Sequence, residues 1–131
     1  MRDLYPPATH DLSRARRELA PEAAAAFHDF SEAVFADGAL STRTKHIIAT
    51  AVAHVTQCPY CIRGHTRAAL RAGVSRNELM EAIWVAAEMR AGASFAHSII
   101  AIDEMGETGA VAANDHPQQG RATGEQHGHS I

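Results

Sequence analysis

Two cysteines set three residues apart constrain this chain of 131 residues more than any other feature. They stand in Cys58-Pro59-Tyr60-Cys61, with His65 one helical turn beyond, and the chain has no other cysteine. One turn of helix brings two Cα atoms within the ~4.4–6.8 Å that a disulfide permits. A helix starting at this motif aims its free backbone N–H groups at the first sulfur, which favours thiolate over thiol. His65 is at i+4 from Cys61, so the two side chains share a face and can exchange a proton. The motif reads first as a redox-active dithiol with a base beside it. Zinc is the second reading, with Cys58, Cys61 and His65 as three ligands and His46 or His54 as a fourth. A pair of buried structural thiols is the third.

Composition narrows the setting. Hydrophobic residues make up 46% of the chain but aromatics only 5%, and alanine dominates, which suits thin helices in close approach. A net charge of −3 offers no general electrostatic grip on nucleic acid. No apolar run reaches the length of a membrane span, and the start, Met1 to Pro7, lacks the apolar stretch of a secretion signal. The expected location is the cytoplasm, with neither membrane nor nucleic acid as a partner. In that compartment a CxxC pair is usually catalytic or metal-binding rather than a permanent staple.

Helical punctuation runs along the chain from Asp11 to Met105, and no alternating β-branched run interrupts it. A short charged helix spans Asp11 to Ala20, and Pro21 opens a second that runs to Phe35 and stops at Asp37-Gly38. Ser41 or Thr42 caps a third, reaching about Gln57. On it Ile47, Ile48, Ala51, Val52 and Val55 form one arc, while His46, Thr50, His54 and Gln57 form another. An open surface would carry Lys, Glu and Arg, so the His/Thr arc is expected to face the dithiol or another subunit. A fourth helix runs from Cys58 to about Ala72-Gly73, and Ser75 and Glu78 form a capping box for a fifth. Gly92 predicts a break or a tight contact, followed by a sixth segment from Ala93 to about Met105. Residues 106–131 are polar and glycine-rich and read as a disordered tail after a helical domain of residues 1–105. The histidines of that tail, His116, His127 and His129, are a weak metal signal. The fold class is therefore all-α, about six helices.

The stretch from Lys45 to Thr66, with Ala69-Leu70-Arg71-Ala72-Gly73-Val74-Ser75 and the acidic-apolar helix after it, resembles the carboxymuconolactone decarboxylase / alkylhydroperoxidase D-like family. The resemblance covers Leu40 to Met105, about half the chain. It implies an all-α homo-oligomer, a hexamer or a trimer, and peroxidase activity where the dithiol is kept. It further implies that Cys61 attacks the peroxide, Cys58 resolves, and His65 relays a proton. Peroxidatic members carry a glutamate twelve residues before the first cysteine; here that position is His46. Either His46 serves the relay, or a carboxylate such as Glu88 or Glu81 replaces the missing one. Glu88 sits in an apolar setting, Trp84-Val85-Ala86-Ala87-Glu88-Met89, where Arg90 or His97 can pair with it; a solvated flank shared with Glu81 is the equal alternative. The ring-opening branch of the family generally lacks the cysteine pair, which argues against that activity.

These observations predict a thiol-dependent peroxidase with Cys58, Cys61, His65, His46 and Glu88 as its candidate catalytic residues. A hydroperoxide is the expected substrate and a dithiol protein the expected reductant. No organic cofactor is expected, since the chain has no phosphate-cradling glycine loop. The alternatives are a protein disulfide oxidoreductase and a metal- or redox-sensing oligomer.

Overall fold

A side chain or a chain reversal marks most helix ends in the computed structural model, which describes residues 3–107. Helix α1, His10–Leu19, is capped by Thr9, whose Oγ1 accepts the Leu12 N–H at 3.3 Å. Helix α2, Pro21–Phe35, begins with proline at a position that needs no backbone donor. Between α2 and α3 the Asp37 carboxylate accepts the Thr42 N–H at 2.7 Å, and the Thr42 hydroxyl donates to the Phe35 carbonyl at 2.7 Å. These bonds hold the Asp37 carboxyl below its ordinary range. Helix α3, Thr42–Thr56, is capped by Ser41, as one of the two expected candidates. Helix α4, Pro59–Arg71, is capped by Cys58. Gly73, at φ 84°, takes the left-handed turn that follows it.

Helix α5, Arg76–Glu107, runs unbroken through Gly92. The break expected there is absent, so the described residues form five helices rather than about six, with no strand among them. Ala91 and Ala93, strong helix formers, flank Gly92, and glycine costs a helix interior only about 1 kcal/mol relative to alanine. The chain divides into two compact units, one through Ala96 and one from His97. From residue 108 the expected polar tail, with its three histidines, lies outside the described residues. No described helix is long and apolar enough to cross a membrane.

In the first unit α3 and α4 pack most closely, as an antiparallel hairpin. A small cluster of Ala69, Val74 and Leu79, with Ile47 against it, closes the end of the hairpin where α5 begins. The expected capping box is present: the Ser75 N–H donates to Glu78 Oε2 at 2.7 Å, and the Glu78 N–H to Ser75 Oγ at 3.1 Å. The Glu78 carboxylate also takes Arg43 of α3 at 2.7 Å. With Arg43 as the leading cause and the capping N–H second, its pKa falls to about 2. Farther along, the Arg90 guanidinium donates to the Val55 carbonyl at 2.8 Å, near the end of α3. Arg90 is thus engaged there and not with Glu88. Arg43 and Val55 are twelve residues apart, as are Glu78 and Arg90, so two polar struts bind α3 to α5 in parallel about 18 Å apart.

Of the apolar arc of α3, Ile47 packs on the core cluster, whereas Ile48, Val52 and Val55 do not enter a core within the chain. Val52 is 50% exposed, and Ile48 and Val55 are nearly as open, whereas Thr50 and Ala53 are buried and His46 and His54 half-buried. The His/Thr face is therefore the inner one, toward α4, as its lack of charge suggested. The Trp84 side chain on α5 is 70% exposed.

Continuity of α5 gives a direct check. A Cβ at Gly92 would meet only the flexible end of Glu88, whose Oε1 is 3.3 Å away. Gly92→Ala should stabilise the protein by about 0.5–1 kcal/mol in urea denaturation. A broken helix with a left-handed residue at this position would instead make the substitution destabilising.

Candidate redox site

The site is built at the reversal between α3 and α4. Gln57 is the sole described non-glycine residue with positive φ, at 56° with ψ 47°, a left-handed cap that ends α3. Its N–H and that of Cys58, the latter at 3.1 Å, both donate to the Ala53 carbonyl. Cys58 thereby becomes the N-cap of α4, and its Sγ accepts the Cys61 N–H at 3.2 Å. Pro59 follows at a position with no donor to lose. Cys58 and Cys61 are joined in a disulfide, with Cα atoms 5.2 Å apart. A disulfide offers no thiolates, so the zinc set of Cys58, Cys61 and His65 is not available in this state.

One helical turn beyond Cys61, His65 faces a second histidine. His46 Nδ1 of α3 lies 3.2 Å from His65 Nδ1 of α4. Two protonated Nδ1 atoms cannot share that contact, so one ring donates and the other accepts. Phe35, from the end of α2, stacks on both rings, with centroids 4.8 Å from His46 and 5.0 Å from His65. Burial lowers both histidine pKa values below the ordinary 6.5; for His46 the charges of His65 and Arg71 lower it further. Burial thus favours the neutral form of both rings, in which the contact holds one proton between the facing nitrogens.

Thr50, fully buried, donates from Oγ1 to the His46 carbonyl at 2.8 Å. The Thr50 carbonyl in turn lies 2.7 Å from His54 Nδ1, which must be the protonated nitrogen since a carbonyl only accepts. His54 is thus fixed on its own helix and makes no hydrogen bond to a described cysteine or to His65. Glu88 is exposed on α5, its carboxylate lying over Gly92, and it makes no hydrogen bond or ion pair with either relay histidine among the described residues. The structure therefore carries Cys58, Cys61, His65 and His46 on one hairpin, joining the cysteines to each other and the two histidines to each other, and does not bring Glu88 to them by any such bond.

Two participants escaped the sequence. Phe35 looked like one more apolar residue before a helix stop, and nothing in its linear spacing announces a ring stacked on two histidines. Tyr60, between the cysteines, donates its hydroxyl to the Pro6 carbonyl at 2.8 Å and meets Tyr5 edge to face, tying the N-terminal segment to the motif. A cavity of about 560 Å³ lies between α1 and α2 and is lined by neither cysteine. His28, Asp29 and Glu32 of α2 come within a metal's reach of one another but are fully exposed. They carry no assignment.

Comparison with known proteins agrees with this geometry. The model of the carboxymuconolactone decarboxylase family matches residues 21–104, and the chain belongs to that family. It is 64% identical over 73 residues to an uncharacterised protein in the cox locus of Paracoccus denitrificans, covering 56% of this chain and 66% of that one. It is 36% identical over 72 residues to an uncharacterised protein of Cupriavidus necator, covering 55% and 64%. The matches thus span just under two thirds of these relatives' lengths. Among solved structures, a Methanobacterium thermoautotrophicum protein superposes with a TM-score of 0.61 at 40% identity, covering 63% of this chain and 93% of its own. A carboxymuconolactone decarboxylase family protein from Legionella pneumophila, in its apo form, gives 0.56 at 37%, covering 60% and 70%.

The depressed histidine pKa values have a thermodynamic consequence. The unfolded chain takes up protons near 6.5, whereas the folded pair resists them to lower pH. The pair's contribution to stability is therefore complete above pH 6.5 and is lost as pH falls through the folded values. Denaturation midpoints at pH 7.5 and 5.5 should show a smaller drop for His46→Gln than for the wild type.

Proposed function

We propose that this protein reduces hydroperoxides through a Cys58/Cys61 dithiol–disulfide cycle. The observation that carries the proposal is the disulfide at the start of α4, one helical turn before a histidine whose ring shares a proton with His46. In the reduced form, His65 takes the proton of the Cys61 thiol, with His46 able to receive or return a proton through the facing nitrogens. The Cys61 thiolate attacks the peroxide's terminal oxygen, the O–O bond breaks, and the alkoxide leaves as alcohol after taking a proton. Cys61 is then a sulfenic acid. The Cys58 thiolate attacks its sulfur, a disulfide forms, and the hydroxyl leaves as water. A dithiol protein returns the pair to thiols and is itself oxidised, so one hydroperoxide and two thiols give alcohol, water and a disulfide. The N–H bond accepted by the Cys58 sulfur favours its thiolate both as the resolving nucleophile and as the leaving group on reduction. That same bond favours a second reading, a protein disulfide oxidoreductase with Cys58 as its exchanging sulfur.

We also place the protein in the cytoplasm and assign it a homo-oligomeric state, a hexamer or a trimer. Support for assembly comes from apolar surface left open within the chain. The α3 face of Ile48, Val52 and Val55 is about half exposed, and Trp84, Val85 and Met89 of α5 are more exposed still. Patches of this kind on a soluble chain mark contact surfaces.

Mass spectrometry of the reduced protein after one equivalent of organic hydroperoxide should show loss of two hydrogens. In Cys58→Ser a dimedone probe should label Cys61. Labelling confined to Cys58 in Cys61→Ser would reverse the roles, and reduction of protein disulfides without peroxide turnover would favour the second reading. His46→Gln should slow peroxide attack by about 10²-fold, within the usual range for a proton-transfer group, and move the acid limb of the rate profile. Glu88→Gln should stay near the wild type. Light scattering at micromolar concentration should give a trimer or hexamer, with Trp84→Glu shifted to smaller species; a wild-type monomer would refute assembly.

A further inference from the structure

Helix α4 accepts two local costs on the same face. Gly64 lies in its interior, where glycine is the poorest helix former after proline, yet no backbone angle or neighbour requires it. A Cβ there would meet nothing within 4 Å. Arg63, Arg67 and Arg71 follow one another at i+4 spacing, and like charges so placed repel. All three are exposed, and none makes an ion pair with a described carboxylate, although the chain as a whole is acidic. By contrast Arg14 and Arg43 are each paired.

Gly64, Arg63 and Arg67 line one cleft of about 270 Å³, whose other walls are Tyr60, Pro7 and Ala8. A second cleft of about 390 Å³ shares Tyr60, Pro7 and Ala8 and adds Arg16. The shared wall is fastened by the hydrogen bond from the Tyr60 hydroxyl to the Pro6 carbonyl. Tyr60 and Gly64 flank Cys61 along the helix, so the cleft lies within one turn of that residue, although neither cysteine lines it. Departures from local stability rules that coincide at one place are characteristic of a functional site.

The geometry points to a binding site for a small organic acid: a hydroperoxide that carries a carboxylate, held by Arg63 and Arg67, with its chain lying across the gap left by Gly64. The nature of its reacting group rests on the peroxidase reading above; the anion site itself does not. Guanidinium groups match a carboxylate in shape and charge, and the missing side chain at Gly64 gives the chain a path toward Cys61. A concave site of this size fits a small molecule, whereas an acidic protein surface would need no cavity.

Two measurements on the full-length protein separate the site from the activity. The first is calorimetric titration of the oxidised protein with a short linear hydroxy acid, the expected product, and with its methyl ester. The acid should bind and the ester should bind at least about tenfold more weakly, the scale of one charge-assisted hydrogen bond. Arg63→Gln and Arg67→Gln should each weaken the acid about tenfold, while the Lys variants recover part of the loss. Gly64→Leu should weaken it too while raising the melting temperature, which distinguishes a filled gap from misfolding. The second is turnover of the matching hydroperoxy acid against its methyl ester and hydrogen peroxide. The acid should have the lowest KM, and Arg67→Gln should raise that KM alone. Arginine-dependent binding without turnover of any peroxide would sink the peroxidase reading and leave the anion site standing. Equal binding of acid and ester, binding indifferent to Arg63 and Arg67, or an acidic peptide that outcompetes the hydroxy acid would overturn the inference.

Discussion

The redox site depends on the left-handed turn at Gln57. A helix that ended one residue earlier or later would rotate every side chain of α4 by about 100° relative to α3. With Gln57 as the cap, the chain reverses over two residues, and the Ala53 carbonyl receives both of the N–H groups that the reversal frees. Cys58 then falls at the N-cap, where its sulfur replaces the oxygen of the usual capping side chain. The residue that closes the disulfide therefore also completes the start of the helix that carries its partner. Reduction leaves a sulfur that still has a backbone donor aimed at it, which lowers the free energy of the thiolate.

In the peroxidase function proposed above, the histidine pair would take the place of a carboxylate beside an imidazole. A carboxylate would hold its neighbour protonated and charged. The two imidazoles under the Phe35 ring do the opposite: burial disfavours the charged form of both, and for His46 the charges of His65 and Arg71 add to this, so in the proposed function the pair would accept a proton at neutral pH. The separation of 3.2 Å lets a proton pass between Nδ1 atoms while each Nε2 faces elsewhere. Thr50 anchors the backbone of His46 from the buried side, so the ring's position is fixed by a hydrogen bond as well as by stacking.

Most of the first four helices and the capping box could be read from the sequence, because each is signalled by side chains at fixed local offsets: Pro21, Ser41, Cys58-Pro59, Ser75 with Glu78. The continuity of α5 could not, since Gly92 carries no signal separating an unbroken helix from a broken one; only its flanking alanines bear on it. The cysteines and His65 were legible as a motif, and His46 as the residue at a family position. Their meeting was not, because it depends on the α3–α4 packing and on Phe35 arriving from a third helix. Arg90, one of two candidate partners for Glu88 beside the solvated alternative, is engaged instead with a carbonyl 35 residues away, a pairing that no short-range rule contains.

Helix α3 shows how the protein divides its two tasks. Its inner side holds His46, Thr50, Ala53 and His54, small or polar groups that bring α4 close and position the proton-sharing pair. Its apolar residues Ile48, Val52 and Val55 point away from that contact. Among the described residues the buried apolar set is Ala53, Ala69, Val74, Leu79 and Ala86, in which three of five are alanine and supply little area each. Burial within the chain is then supplemented by the Arg43–Glu78 and Arg90–Val55 struts, which fix the direction of α5 without large side chains between the helices. Such an arrangement keeps bulky apolar groups out of the redox site, where they would separate α3 from α4 and pull the two Nδ1 atoms beyond hydrogen-bonding distance. The apolar surface is displaced to the outside as a consequence, so the close approach that makes the histidine pair possible is also what leaves the chain in need of further burial.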